Sequence, residues 1–194
     1  MKLIGEKSVS TLLSKILLAG SVAQLLYLGY IILGFVILYN NLHQGIPLFS
    51  ETFTTGNFDN EIRKTATDSL TFQFEMPLTG AVIKGSYTLY TFISIIFFVG
   101  FYSVFTFYLF RIFKGMSADL IFNIKVIHDL KIFATLNIVF IPIYSIVLYC
   151  MDQSIYSIDP LFILLHLTLG IIIFFIIEFF KKGYELQTEN ELTI

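Results

Sequence analysis

The stretch Arg111–Lys131, RIFKGMSADLIFNIKVIHDLK, joins two long apolar runs and carries four of the chain's twelve basic residues. A charged connector between two hydrocarbon-like segments reads as a loop at a membrane surface, and the rest of the chain can be organised outward from it. Gly115, Ser117 and Asp119 are placed to end one helix and cap another. Beyond them Leu120, Ile121, Ile124, Ile127 and Leu130 recur at helical spacing, with Asn123, Lys125 and His128 between them. That pattern predicts a short amphipathic helix or an early extension of the next span.

Upstream of the connector, residues 86–110 read as a span dense in Phe and Tyr. Tyr87, Tyr90 and Phe92 lie near one end and Tyr108 near the other, which suits the two membrane interfaces. Downstream, residues 128–150 form another span with Asn137 and Pro142 inside it, and the proline is expected to loosen the helical ladder. Residues 151–158 contain no Lys or Arg. Asp159 and Pro160 then supply a capping residue followed by a proline in the first turn, and the fourth span covers 161–180. Lys181, Lys182 and Gly183 end it, leaving a polar cytoplasmic tail at 181–194. The first span covers 12–39, capped by Ser10 or Thr11, with Lys15 near its start where the side chain can snorkel. About 20 apolar residues cross a hydrocarbon core, so each segment is long enough.

Composition leads the same way. The 194 residues are 56% hydrophobic and only 13% charged, whereas soluble domains are roughly one quarter charged. A soluble domain of this size could not hide that much apolar surface. The first span reads as a retained helix, because its apolar stretch is too long for a signal core and no small-x-small cleavage pattern follows. Cys150 stands alone, which excludes an intrachain disulfide and a multi-cysteine zinc site; its expected role is that of a buried apolar residue.

Between the first two spans, residues 40–85 change character. Leu70, Phe72, Phe74 and Met76 alternate with Thr71, Gln73 and Glu75, the period-two pattern of a half-exposed strand, and Pro77 and Gly80 stop it. A second short strand is expected at 52–54. The fold class is therefore all-α: an integral membrane four-helix bundle forming one domain, with a small extracytoplasmic loop subdomain containing short β strands. Its aromatic face is expected to pack on the bundle or on lipid headgroups. Nine basic residues fall on the face that holds both termini and the 111–127 loop, against three on the other. The positive-inside rule then puts both termini in the cytoplasm.

Ionisable and polar groups inside the spans are the natural candidates for function. They are Gln24, Asn137, His166 and Glu178. Glu178 precedes Lys181 and Lys182 by three and four residues, a spacing that favours a local ion pair. His166 is expected to make a structural hydrogen bond rather than to handle ligand or proton. Gln24, Asn137 and Pro142 could line a small polar cavity, though polar residues more often glue helices together. The three histidines lack metal-ligand spacing, and no nucleophile elbow or catalytic pairing occurs. No enzymatic activity, cofactor or metal is expected. In the tail, Leu192 and Ile194 would share one side of an extended chain, so ELTI could add a strand to a partner.

The order of four spans, the inner-loop sequence GMSADLIFNIKVI at Gly115–Ile127 and the terminal ENELTI at Glu189–Ile194 resemble the bacterial membrane-protein family catalogued as domain of unknown function 2975. The four-span layout covers nearly the whole chain, and the outer loop is its least characteristic part. The resemblance implies a small integral membrane protein of the bacterial inner membrane, of a kind often encoded beside a small helix-turn-helix regulator. Nothing in the chain resembles a DNA-binding module, so direct nucleic-acid contact is not expected.

The leading expectation is a non-enzymatic sensor or anchoring protein in the lipid bilayer that engages a cytoplasmic partner such as that regulator. Its recognition surface would comprise Gly115, Asp119, Asn123, Lys125, Glu189, Asn190, Leu192 and Ile194. The rival is a small transporter or permeability protein acting as a homo-oligomer. An intramembrane enzyme ranks third.

Overall fold

The computed structural model describes residues 2–45, 48–56, 70–77, 79–118, 120–151 and 159–192. Its elements, in chain order, are α1 (Val9–Gln44), β1 (Phe53–Gly56), β2 (Thr71–Glu75), β3 (Val82–Ser86), α2 (Leu89–Met116), α3 (Ile124–Cys150) and α4 (Pro160–Leu192). All four helices are long and apolar enough to cross a membrane. The chain divides into two compact units: Met1–Gln24 with Phe101–Ile194, and Leu25–Gly100.

In the first unit, α3 and α4 pack along their length. Gly170 permits the close approach, since a Cβ there would stand 2.6 Å from Ile138 Cγ1 and 3.2 Å from the Ala134 carbonyl oxygen. The apolar core gathers Ile112 of α2, Val126, Ile127, Leu130, Phe133 and Ala134 of α3, and Ile173 and Ile177 of α4. The start of α1 joins through small residues: Ser21 Oγ donates to the Ser103 carbonyl at 3.3 Å. Before that helix begins, Gly5 N donates to the Met116 carbonyl at 3.2 Å. Phe122 stacks edge-on against Phe180 at 5.4 Å and fills the space that a side chain at Gly183 would need. The residues before α1, the α2–α3 linker and the Gly183 region of α4 thus occupy one end of this unit.

In the second unit the strands form an antiparallel sheet in the order β1-β2-β3. Phe53 is paired with Phe74 and Thr71 with Ser86. Phe72 and Phe74 are buried while Glu75 is exposed, as the alternation along β2 requires. These rings meet Phe35, Ile31 and Leu38 of α1. Phe35 lies 4.9 Å from Phe72, 5.5 Å from Phe74 and 4.8 Å from Phe92. Gly34 makes the docking possible, because a Cβ there would meet Phe53 and Phe74 at 2.8 Å. Tyr30 also donates its hydroxyl hydrogen to the Glu75 carbonyl.

Several boundaries differ from the sequence reading, each for a local reason. The third strand was not anticipated, and Ser86 ends it rather than opening a span. Gly80, with φ of +64°, turns the chain so that β3 can return beside β2, and α2 begins three residues later behind the Thr88 cap, where Thr91 N donates to Oγ1 at 3.1 Å. Helix α1 starts at Val9 rather than near residue 12, because Ser8 already supplies the carbonyl that Leu12 N reaches at 3.3 Å. The connector assigned to 111–127 contracts to 117–123: no proline precedes Ser117, Gly115 alone does not end α2, and Asn123 caps α3 at once. Finally, α4 does not stop at Lys181–Gly183. The following YELQTENEL contains no proline and is rich in good helix formers, so one glycine does not end it. Helix α4 takes in Glu191 and Leu192 of the ELTI stretch, and Thr193 and Ile194 lie outside the described residues.

Candidate functional site

Three side chains from three helices meet in the first unit. His166 of α4 is buried, as is Asn137 of α3. Nδ1 of His166 lies 2.8 Å from Asn137 Oδ1, and its Nε2 lies 3.3 Å from the Tyr102 hydroxyl of α2. Asn137 uses its own Nδ2 to donate to the Phe133 carbonyl, one turn back, at 2.8 Å. With the amide oriented in that way, Oδ1 is the acceptor and the ring nitrogen facing it carries the proton. Nε2 is then left to accept from Tyr102. Each polar atom has a defined role, as buried groups in an apolar setting require.

The surroundings are aromatic. Phe162 lies 4.5 Å from the His166 ring, Phe101 at 5.3 Å, Phe140 at 5.6 Å and Phe105 at 6.2 Å, several of them edge-on. Such a sheath surrounds the ring with apolar edges and leaves Asn137 and Tyr102 as its polar partners. The cluster can therefore lock α2, α3 and α4 in register.

A second polar group lies nearer the linker. Asp129 of α3 is buried, with Oδ2 accepting from Arg111 Nε at 3.1 Å and Oδ1 lying 2.8 Å from Nη2. The second approach is an ion-pair contact out of line for a hydrogen bond. Arg111 itself is about 40% exposed and also stands over the Tyr108 ring at 5.6 Å. Neither residue of this pair was singled out from the sequence, and the neighbouring His128 is exposed. The signal was present: an acid in an apolar helix needs a counter-charge, and Arg111 is the first cation past the apolar run of α2.

The remaining candidates fall in separate places. Gln24 Oε1 is buried without a hydrogen-bond partner among the described residues, and Pro142 is exposed. Glu178 is exposed and bonded to Lys181 at 2.6 Å. Asn123 caps α3, accepting from Val126 N at 3.0 Å and donating to the Leu120 carbonyl at 2.9 Å. Gly115 lies tight against Val126, where a Cβ would approach Cγ2 to 2.3 Å. Both have structural duties, whereas Lys125 is exposed. Glu189 and Asn190 are exposed on α4. Asp119 and Ile194 lie outside the described residues, as does the side chain of Leu192. Cys150, expected to be buried, is exposed at the end of α3. Among the described residues no three His, Cys, Asp or Glu side chains gather as a metal site would need.

No family model, curated protein or solved structure matches this chain, so the family resemblance rests on its quoted residues alone. What sequence and fold together establish is a multi-pass membrane protein with four apolar spans and a small β-strand subdomain outside them.

Proposed function

We propose that this protein is a non-enzymatic anchor or sensor of the bacterial cytoplasmic membrane, with both termini in the cytoplasm, that engages a cytoplasmic protein through the end of α4. The observation that carries this reading is the unbroken helix Pro160–Leu192. Thirty-three residues extend about 50 Å, while the hydrocarbon core is about 30 Å thick. The excess lies beyond Glu178 and Lys181, where the sequence becomes polar, and it presents exposed Tyr184 and Leu186 beside Glu185 and Glu189. A helix that leaves the membrane carrying apolar and acidic groups together suits a groove-type partner.

A small helix-turn-helix regulator, of the kind the family resemblance implies, is the partner to try first. Site-specific photo-crosslinking in cells tests the reading. A crosslinker at Tyr184 or Leu186 should trap a soluble protein that one at the exposed mid-span residue Ile172 does not. Adducts limited to lipid or to the chain itself at all three positions would overturn the proposal.

The rival, an oligomeric transporter, has the His166–Asn137–Tyr102 cluster in its favour. It ranks second because no hydrogen bond among the described residues links Gln24 to that cluster.

A further inference from the structure

Where α2 leaves its apolar stretch, a groove of about 730 Å³ opens between the end of that helix and the start of α3. Its position along the chain is informative: Leu89–Phe110 contains no charged residue, and Arg111 is the first to follow. The groove therefore begins at the level where hydrocarbon gives way to headgroups. Three cations line it. Arg111 and Lys114 come from the last turns of α2 and Lys125 from the first turn of α3, against one carboxylate among the described residues, Asp129.

That carboxylate is already engaged. It holds Nε and Nη2 of Arg111, which leaves Nη1 for another ligand. Lys114 Nζ stands 5.6 Å above the Phe110 ring, so its apolar stem and charged head are both placed. Among the described residues neither Lys114 nor Lys125 has an ion-pair partner. The flank is apolar and open, with Phe107 and Ile124 exposed. A soluble anion would meet the cations but gain nothing from that flank; an acidic peptide would have to place polar backbone against it.

We propose that this groove binds an anionic phospholipid, its phosphate held by Arg111, Lys114 and Lys125 and an acyl chain lying along Phe107, Phe110 and Ile124. The assignment needs no cytoplasmic partner and stands whether or not the projecting end of α4 recognises one. It also gives Lys125 a role different from partner recognition. A Lys near an anionic headgroup is worth about fivefold in binding, so two should multiply to about twenty-five-fold.

The test uses the full chain purified in neutral detergent and exposed to mixed micelles of phosphatidylglycerol and phosphatidylcholine, with retained lipid counted by native mass spectrometry. Lys114→Gln combined with Lys125→Gln should reduce the preference for phosphatidylglycerol by about twenty-five-fold. Lys181→Gln with Lys182→Gln removes the same charge elsewhere and should change it less than about twofold. A thermal midpoint matching wild type establishes that the groove variant is folded, and Lys114→Arg with Lys125→Arg should restore the preference. Equal losses in the two glutamine pairs, or no loss in the groove pair, would overturn the proposal. Displacement of the lipid by inorganic phosphate or by soluble polyglutamate would overturn it as well, assigning the cations to a free anion or an acidic protein.

Discussion

Asp129 and Arg111, eighteen residues apart, form a two-point contact across the short α2–α3 linker, at 3.1 Å and 2.8 Å. The two ends of the contact are not equivalent. The acid is buried in α3, whereas the guanidinium is about 40% exposed and has the groove beside it.

That asymmetry predicts unequal mutational costs. Arg111→Gln strands a buried carboxylate and should destabilise the fold by about 3 kcal/mol, at the low end for breaking a buried pair because the arginine is half-exposed. Asp129→Asn leaves a cation that can turn to water or headgroups, and should cost nearer to 1 kcal/mol. Combining Arg111→Met with Asp129→Leu should recover most of the loss. Unfolding in mixed micelles, titrated with sodium dodecyl sulfate, measures all three; similar costs for the two single variants would show that burial of the acid is not what matters.

The His166 cluster should follow a different order. Asn137→Leu and His166→Leu each remove a 2.8 Å bond and leave a buried polar group unpaired, costing about 1–2 kcal/mol, while hydrogen bonds inside membranes average about 0.6. Tyr102→Phe removes only the longer 3.3 Å contact and should cost about 0.5 kcal/mol or less. A double-mutant cycle between Asn137 and His166 should return a coupling energy, and one between Gln24 and His166 should return none.

Two glycines should respond oppositely to alanine. At Gly170 a methyl group meets Ile138 and the Ala134 carbonyl, so Gly170→Ala should separate α3 from α4 and cost about 1–3 kcal/mol. At Gly29 nothing lies within 4 Å, and Gly29→Ala should be neutral or stabilising by up to about 1 kcal/mol through helix propensity. The same unfolding titration reads both.

The second unit has its own test. Gly34→Leu would drive a side chain into Phe53 and Phe74, lifting the sheet from α1 while leaving the His166 cluster intact. Hydrogen exchange at the Thr71–Glu75 amides should accelerate by at least about tenfold, which corresponds to a loss of 1.4 kcal/mol in local stability. Unchanged protection would mean that the sheet is held by something other than the Phe35 contacts.

Orientation can be read with the lone cysteine. Cys150 is exposed at the end of α3, and in the proposed topology it faces away from the cytoplasm. A membrane-impermeant maleimide should label it in intact cells with the outer membrane opened, whereas Lys125→Cys in a Cys150→Ser background should be labelled only after lysis. The reverse pattern would invert the topology and remove the proposed cytoplasmic partner.

Much of the architecture was legible in the residues themselves. Long runs free of charge determine where helices can cross lipid, because an unpaired charge or bare backbone there is prohibitively costly. The alternation of Phe72 and Phe74 with Thr71, Gln73 and Glu75 determines a strand with one buried face. Asp159 followed by Pro160 marks a helix start in any context. These are local or periodic properties, and they do not depend on which other segment lies nearby.

Pairing was decided only by the tertiary structure. No periodicity says that Asp129 will find Arg111, that His166 will sit between Asn137 and Tyr102, or that Phe35 will be the floor beneath Phe72 and Phe74. Each choice depends on helix rotation and axial register, which are set by close contacts at Gly34, Gly115 and Gly170. The end of α4 is a case of the same kind. Lys181, Lys182 and Gly183 look like a stop when read alone, yet Phe122 packs into the gap at Gly183 and the helix continues. A residue's type states what it needs; the packed fold decides which neighbour supplies it.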